Sequence, residues 1–147
     1  MSPRFSTTEP GMTFEAAPIT VTASHFGAAG ELFNDRHPIH HDDGYAAERG
    51  HPAKTLPGSM IGGIMSSALA AALSDYGLAL LEYSVRYRAA VYEGDTLNAR
   101  AVVVRTEAKP KRGGGLVFFG TTLHNQDGVL VAEGTAVDLV SDLEFRG

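Results

Sequence analysis

The most informative hydrophobic pattern in the chain covers residues 59–77, where nearly every position is apolar or small. The first charged residue in this segment is Asp75. A helix that is apolar on all sides is normally buried. Ser59 or Gly58 stands where an N-cap belongs, and Gly77 stands where a glycine commonly follows the last helical turn. The pattern therefore predicts one buried helix.

The second half of the chain has the alternating pattern of half-buried strands. After Tyr83, the positions on one predicted face are Val85, Tyr87, Ala89 and Val91, and those on the other are Ser84, Arg86 and Arg88. Turn sequences at residues 93–95, 109–115 and 127–128 divide the rest of the chain into further strands. We expect four long antiparallel strands in this half.

The first half is less regular. Residues 18–22 contain the β-branched residues of a short strand, and Ser24 could cap a short helix that reaches about Leu32. Residues 33–58 are polar and interrupted by proline and glycine, which predicts a long loop. Loops of that length in compact domains are usually functional or disordered.

This order of elements predicts an α+β protein in which an antiparallel sheet wraps around a buried central helix, the architecture called the hotdog fold. The length of 147 residues and the hydrophobic content of 44% suit a single domain over residues 1–147. We expect residues 1 to about 16 to form an N-terminal extension.

Composition narrows the range of functions. The net charge of −5 argues against nucleic-acid binding, and the absence of cysteine excludes disulfides, iron–sulfur clusters and thiol catalysis. The N-terminus lacks the apolar core of a signal peptide, and the longest apolar stretch is shorter than the roughly 20 residues that a membrane span needs. We therefore expect a soluble cytoplasmic protein that does not associate with membranes.

The main candidates for catalytic residues are Asp35 and His40, which are five residues apart in the sequence. In a helix this spacing separates two side chains by roughly 140°, and in a strand it places them on opposite faces. Only an irregular turn brings them together, and Pro38 can produce one. Such a pair can hold a water molecule, with the imidazole exchanging a proton. A solvated turn and a metal site are the alternatives.

The metal alternative rests on a run of potential ligands: His37, His40, His41, Asp42 and Asp43. Adjacent residues in an irregular loop rarely converge on one ion, and the chain has neither cysteine nor a metal-binding helix motif. We therefore expect no metal, and we expect His41, Asp43 and His51 to be surface residues.

The sequence "DRHPIHHD", followed by "PGSMIGGIMSSAL", resembles the MaoC-like (R)-specific enoyl-CoA hydratases. The positions that match the pattern of that family are Asp35, Pro38, Ile39, His40 and Asp42, and a glycine that opens the central helix follows. The resemblance extends into the strands of the second half. It implies the hotdog fold and the hydration or dehydration of acyl thioesters.

By this resemblance Asp35 and His40 activate a water for addition to C3 of a trans-2-enoyl thioester and return a proton to C2. Gly58 falls where the backbone N–H of the family faces the thioester oxygen, although it could also be a simple cap glycine. Ser66 matches a serine that hydrogen-bonds the catalytic aspartate, although it could also serve only packing.

Other residues could contact the substrate. His37 stands where the family often has asparagine, and it either supports the turn or contacts substrate, whereas Asn34 replaces a frequent glycine. Ser59 follows the glycine that opens the helix. Lys109, Lys111 and Arg112 could meet the phosphates of coenzyme A or an acidic acyl carrier protein, although a solvated hairpin tip explains them too.

These inferences predict a hydratase or dehydratase of acyl-CoA and fatty acid metabolism without a metal or redox cofactor. Coenzyme A or phosphopantetheine would enter only as part of the substrate. We expect a homodimer, because a lone sheet leaves its edges exposed. The alternatives are a hotdog thioesterase, although residues 59–74 contain no carboxylate, and a non-catalytic acyl-thioester binding protein.

Overall fold

The central helical segment is divided into two consecutive helices in the computed structural model, which describes residues 1–143. They are α3 (Gly58–Met65) and α4 (Ser67–Leu73). The other helices are α1 (Ala23–Phe33) and α2 (Asp43–Ala47), and a single 3₁₀ turn covers Pro38–His40. No helix within residues 1–143 is both long enough and apolar enough to cross a membrane.

The predicted central helical segment is confirmed, but the structure differs in two respects from one buried helix over residues 59–77. The break falls at Ser66, where the hydroxyls of Ser66 and Ser67 donate to the carbonyls of Gly63 and Ile64 at 2.6 and 2.7 Å. Hydroxyls that bond their own turn in this way compete with the regular helical ladder. The segment is also not buried on all sides, because Gly63, Ala70 and Ala71 are exposed.

The predicted cap at Gly77 was also wrong, because this glycine is the first residue of a strand. A Cβ atom at this position would lie 2.6 Å from the Cβ atom of Leu73. Glycine is therefore required here by the close approach of the strand to the end of α4 rather than by a helix cap.

The strands form one six-stranded antiparallel sheet. They are β1 (Thr13–Glu15), β2 (Ile19–Thr20), β3 (Gly77–Tyr87), β4 (Thr96–Lys109), β5 (Gly114–His124) and β6 (Leu130–Ser141). The order across the sheet is β1-β4-β5-β6-β3, and β2 pairs with the beginning of β4. The four long strands and the early short strand confirm the predicted pattern, whereas β1 was not predicted.

The predicted turns lie where the sequence placed them. Gly94, Gly113 and Gly128 have φ angles of 93°, 64° and 73°, a region that favours glycine. Strand β3 begins before Tyr83 and ends at Tyr87, so the alternation continues beyond the strand and Ala89 and Val91 lie outside it. Thr22 rather than Ser24 caps α1, and its backbone N–H donates to Nδ1 of His25 at 2.9 Å.

The core lies between one face of the sheet and the helices α3 and α4. Its buried members include Ile61, Met65, Leu69, Val103, Val117, Phe119, Leu123 and Ala136. At one end of the sheet β3 is an edge strand, and within residues 1–143 it is bonded only to β6. Leu78, Leu80 and Leu81 on this edge strand remain 49%, 51% and 57% exposed.

Candidate active site

The end of α1 positions Asp35. Asn34 ends the helix in the left-handed conformation with φ 54°, and the N–H of Asp35 donates to the carbonyl of Ala29 at 3.4 Å. Asparagine is one of the few residues that adopt this conformation readily. The chain therefore leaves the helix abruptly, and Asp35 begins an irregular segment.

The turn that positions His40 starts at Pro38, whose ring fixes φ at the first position of a 3₁₀ turn. Backbone bonds close it, from the N–H of His40 to the carbonyl of His37 at 3.0 Å and from the N–H of Asp42 to that of Pro38 at 2.8 Å. The predicted loop over residues 33–58 is thus partly helical, because this turn leads directly into α2.

The irregular segment brings Asp35 and His40 together. Oδ2 of Asp35 and Nε2 of His40 are 3.8 Å apart, and their side chains are 32% and 17% exposed. That distance is too long for a direct hydrogen bond, and a water molecule about 2.8 Å from each atom can bridge it. Solvent therefore has access to both groups.

A backbone carbonyl defines which nitrogen of His40 carries the proton. Nδ1 lies 2.7 Å from the carbonyl oxygen of Thr55, an atom that can only accept. In the neutral imidazole Nδ1 must therefore be the donor, which leaves the lone pair of Nε2 directed towards Asp35. A nitrogen in this state can accept a proton from a water molecule.

His37 contributes to the turn. Its Nδ1 accepts a hydrogen bond from the N–H of Ile39 at 3.3 Å, and its ring centroid lies 6.1 Å from that of His40. The ring also packs edge-on against Tyr45 at 5.7 Å. These contacts support the turn and leave the imidazole exposed beside His40.

The acidic and histidine residues that invited a metal hypothesis have separate partners. His41 Nε2 lies 2.7 Å from the backbone oxygen of Asp35, and Asp42 caps α2 by accepting from the N–H of Tyr45. Asp43 accepts from the N–H of Lys54. Across the described part of the chain, no three metal-ligating side chains of the kind His, Cys, Asp or Glu cluster together.

Gly58 opens α3 immediately after Pro57. The first N–H groups of a helix have no partner within it, and they carry the positive end of the helix dipole. The hydroxyl of Tyr87 donates to the carbonyl of Gly58 at 2.8 Å, and a Cβ atom here would lie 3.0 Å from that ring. Glycine therefore fits this close contact.

A groove of about 400 Å³ lies beside the start of α3. Thr55, which holds His40, lines this groove together with Gly58 and Tyr87. Ser59 is exposed in the first turn of the helix. The helix start and the segment that fixes His40 are thus only three residues apart in the chain.

The structure does not bring Ser66 to Asp35 within one chain. The Ser66 hydroxyl donates to the carbonyl of Gly63 at 2.6 Å, and among residues 1–143 no hydrogen bond joins it to Asp35. Ser66 instead lines a second groove farther along the helices, between α4 and β3.

The cationic turn of Lys109, Lys111 and Arg112 is also distant from the pair in one chain. The strand registers place Tyr87 of β3 in the same row across the sheet as Ala99 of β4. Lys109 lies ten residues farther along β4. At about 3.3 Å per residue this is about 33 Å. Lys109 pairs with Glu107 in the same strand.

Two tyrosines in β3 were missed by the sequence analysis. The hydroxyl of Tyr83 donates to the carbonyl of Gly62 at 2.7 Å, as that of Tyr87 does to Gly58, so both tyrosines attach α3 to the sheet. Burial, with a smaller effect of Tyr87, raises the pKa of Tyr83 to about 12. In the sequence, the spacing of the two tyrosines on one face of the predicted strand could have indicated that both contact the helix.

Comparisons with known proteins agree with this architecture. A family model described as MaoC like domain matches residues 5–124. No curated protein matches the chain. Among solved structures, the unliganded R-hydratase PhaJ1 from Pseudomonas aeruginosa has a TM-score of 0.77 at 23% identity, covering 97% of this chain and 88% of that one.

Two further solved structures have a similar fold. The (R)-hydratase from A. caviae, described as involved in PHA biosynthesis, has a TM-score of 0.69 at 21% identity over 90% of this chain and 96% of that one. The C-terminally truncated HadBC complex, a 3R-hydroxyacyl-ACP dehydratase from Mycobacterium tuberculosis, has a TM-score of 0.76 at 20% identity over 90% and 98%. These likenesses confirm the predicted hotdog fold.

Proposed function

Because the chain belongs to the MaoC-like domain family, whose members are generally hydratases and dehydratases, we propose that it adds or removes water across the 2,3 bond of an acyl thioester. The substrates would be a 2-enoyl thioester in one direction and a 3-hydroxyacyl thioester in the other. The observation that supports this most directly is the 3.8 Å separation of Asp35 and His40, with the lone pair of the imidazole facing the carboxylate.

In the hydration direction, Nε2 of His40 accepts a proton from the bridging water as the water oxygen bonds to C3. Asp35 accepts a hydrogen bond from the same water and orients it. The electron pair of the 2,3 bond moves towards the thioester oxygen, where the N–H of Gly58 stabilises the negative charge. C2 then takes a proton from the imidazolium, and dehydration follows the reverse path.

This chemistry forms a C–O bond with water and a C–H bond at C2, and its protons move through His40 while Asp35 orients the water. It therefore calls for no metal or redox cofactor, and coenzyme A or phosphopantetheine takes part as the carrier of the acyl group. His37 and Ser59, which are exposed next to His40 and Gly58, are the nearest further candidates for contact with the substrate.

We further propose a homodimer formed along β3, the free edge strand with three exposed leucines. Antiparallel pairing of two β3 strands would set the Gly77 end of one copy beside the Tyr87 end of the other. The cationic turn at Lys109, Lys111 and Arg112 would then approach the groove at Gly58 across the interface. This arrangement allows the cations to meet the phosphates of a carrier or an acidic carrier protein.

Incubation with crotonyl-CoA tests the proposed reaction and separates it from the alternatives. We expect the absorbance of the enoyl thioester to fall without release of free thiol. Thiol release would instead identify a thioesterase in which the Asp35–His40 pair directs water to the carbonyl. Binding of the thioester without either change would identify a non-catalytic binding protein.

A further inference from the structure

Asp138 is a buried carboxylate that finds no hydrogen-bond partner in the described part of the chain, residues 1–143. It lies on β6, and its side chain shares the helix-facing side of the sheet with Ala136 and Val140. Its side chain is only 1% exposed, and neither carboxylate oxygen receives a hydrogen bond from any residue between 1 and 143. Burying an unpaired carboxylate is costly, so such a group in a folded protein calls for an explanation.

Asp138 lines the groove of about 340 Å³ between α4 and β3. The other residues of this groove carry no charge: Ser66, Leu69, Ala70, Leu73, Gly77, Leu78, Ala79 and Leu80. Burial raises the pKa of Asp138 to about 6, and within residues 1–143 no cation opposes that effect. The groove therefore has apolar walls and one strong hydrogen-bond acceptor that no residue between 1 and 143 satisfies.

These observations define the chemistry of a ligand that fits. A plain hydrocarbon would contact the apolar walls and leave both oxygens of Asp138 without a hydrogen bond. A ligand with a hydroxyl or amine at the position that reaches Asp138 would contact the same apolar walls and donate a hydrogen bond to the carboxylate. Sites with buried polar groups discriminate strongly against analogues that lack the matching group.

We propose that this groove binds the tail of the acyl group and that Asp138 selects tails carrying a hydrogen-bond donor over plain hydrocarbon tails. The inference rests on the proposed function, since it assigns the groove to the acyl part of the thioester substrate. The groove borders β3, so in the proposed dimer it lies beside the start of α3 of the other copy. An acyl chain bound at that helix start can therefore extend into the groove.

The experiment compares trans-2-enoyl-CoAs of six to ten carbons as matched triples with a methyl, hydroxyl or amino group at the end of the chain. Wild-type protein should show kcat/KM at least about tenfold higher for a hydroxyl or amino tail than for the methyl tail of the same length. In Asp138→Leu the preference should reverse, and in Asp138→Asn the preference for the amino tail should be lost. Asp127→Asn, an exposed carboxylate outside this groove, is the matched control and should keep the wild-type tail preference.

A second measurement keeps the inference testable if no substrate turns over. Calorimetric binding of the saturated acyl-CoA triples should show the same preference in wild type and its loss in Asp138→Leu. Turnover without a tail preference, or a preference unchanged in Asp138→Leu, would overturn the role of Asp138 while the proposed function stands. A binding preference without turnover of any enoyl-CoA would overturn the function alone, and absence of both would overturn both.

Discussion

At the scale of single residues, the proposed role of His40 depends on a contact with a backbone carbonyl, which a sequence motif does not specify. The carbonyl oxygen of Thr55 lies 2.7 Å from Nδ1, and this contact leaves Nε2 free to face Asp35. In the proposed reaction, Asp35 orients a water molecule between the two groups and Nε2 accepts a proton from it. The pair therefore has the arrangement that a general base requires.

Burial of Asp138 makes the stability of the folded protein depend on pH. Its pKa rises from 3.8 to about 6 on folding because burial disfavours the charged form. The folded state therefore binds the proton more tightly than the unfolded state, and stability falls as the pH rises through this interval. Allowing for solvent screening, we expect a loss on the order of 2 kcal/mol between pH 4 and pH 7.

Urea denaturation of wild type and Asp138→Asn at several pH values measures this loss. The asparagine variant removes the ionisable group, so its free energy of unfolding should lack most of the decline and exceed that of wild type at pH 7. An equal decline in both proteins would show that other groups cause it.

The sequence could predict the meeting of Asp35 and His40 because Pro38 stands between them and regular structure would have separated them. It could not predict the partner of Nδ1, since every residue has a carbonyl and only the folded chain selects that of Thr55. Asp138 was detectable in principle, because it occupies an apolar face at a period of two, between Ala136 and Val140.

At the scale of elements, the start of α3 is held against β3. The hydroxyl of Tyr87 bonds the carbonyl of Gly58, and a Cβ atom at Gly58 would crowd that ring at 3.0 Å. We expect Gly58→Ala to displace the ring, to obstruct the approach of the thioester to the backbone N–H and to lower kcat at least about tenfold. Steady-state hydration kinetics and circular dichroism measure the two effects separately.

Gly63 offers a matched control on the same helix. A Cβ atom there meets nothing within 4 Å, and the residue is exposed. Gly63→Ala should leave kcat unchanged and raise stability by about 0.5–1 kcal/mol, the usual gain for alanine inside a helix. Equal kinetic effects of the two substitutions would contradict the special position of Gly58.

The helix break shows where element prediction failed. The sequence correctly indicated an apolar helical segment that packs against the core, because its composition is unambiguous. The boundary at Ser66 depends on hydroxyls that bond carbonyls three residues earlier, and serine can equally direct its hydroxyl to solvent. Similarly, Gly77 fits the sequence pattern of a helix cap. Only the folded structure shows that glycine is needed there because Leu73 packs against it.

At the scale of the whole molecule, the free edge β3 predicts the assembly. Leu81 on this strand is 57% exposed, and exposed apolar edges favour pairing with a second copy. Leu81→Glu should shift the protein from dimer to monomer and reduce hydration activity, as measured by light scattering and kinetics. Val104→Glu is the control, because Val104 is 58% exposed on β4, an interior strand of the sheet, and should leave the dimer intact.

The overall architecture was predictable because long alternating segments and glycine turns specify antiparallel strands through local chemistry. The distances between parts of the chain that are far apart in sequence were not predictable. The registers of β3 to β6 place the cationic turn about 33 Å from the level of Tyr87, and no local pattern carries that information. A role for this turn in binding substrate therefore depends on the proposed dimer.

The central claim is tested most directly by the hydration rate of crotonyl-CoA in Asp35→Asn and His40→Gln, with Asp127→Asn, an exposed carboxylate in a distant turn, as the matched control. Each variant of the pair should retain the fold and lose on the order of 100-fold or more in kcat, whereas the control should equal wild type. Wild-type rates in both folded variants of the pair would contradict the assignment of Asp35 and His40.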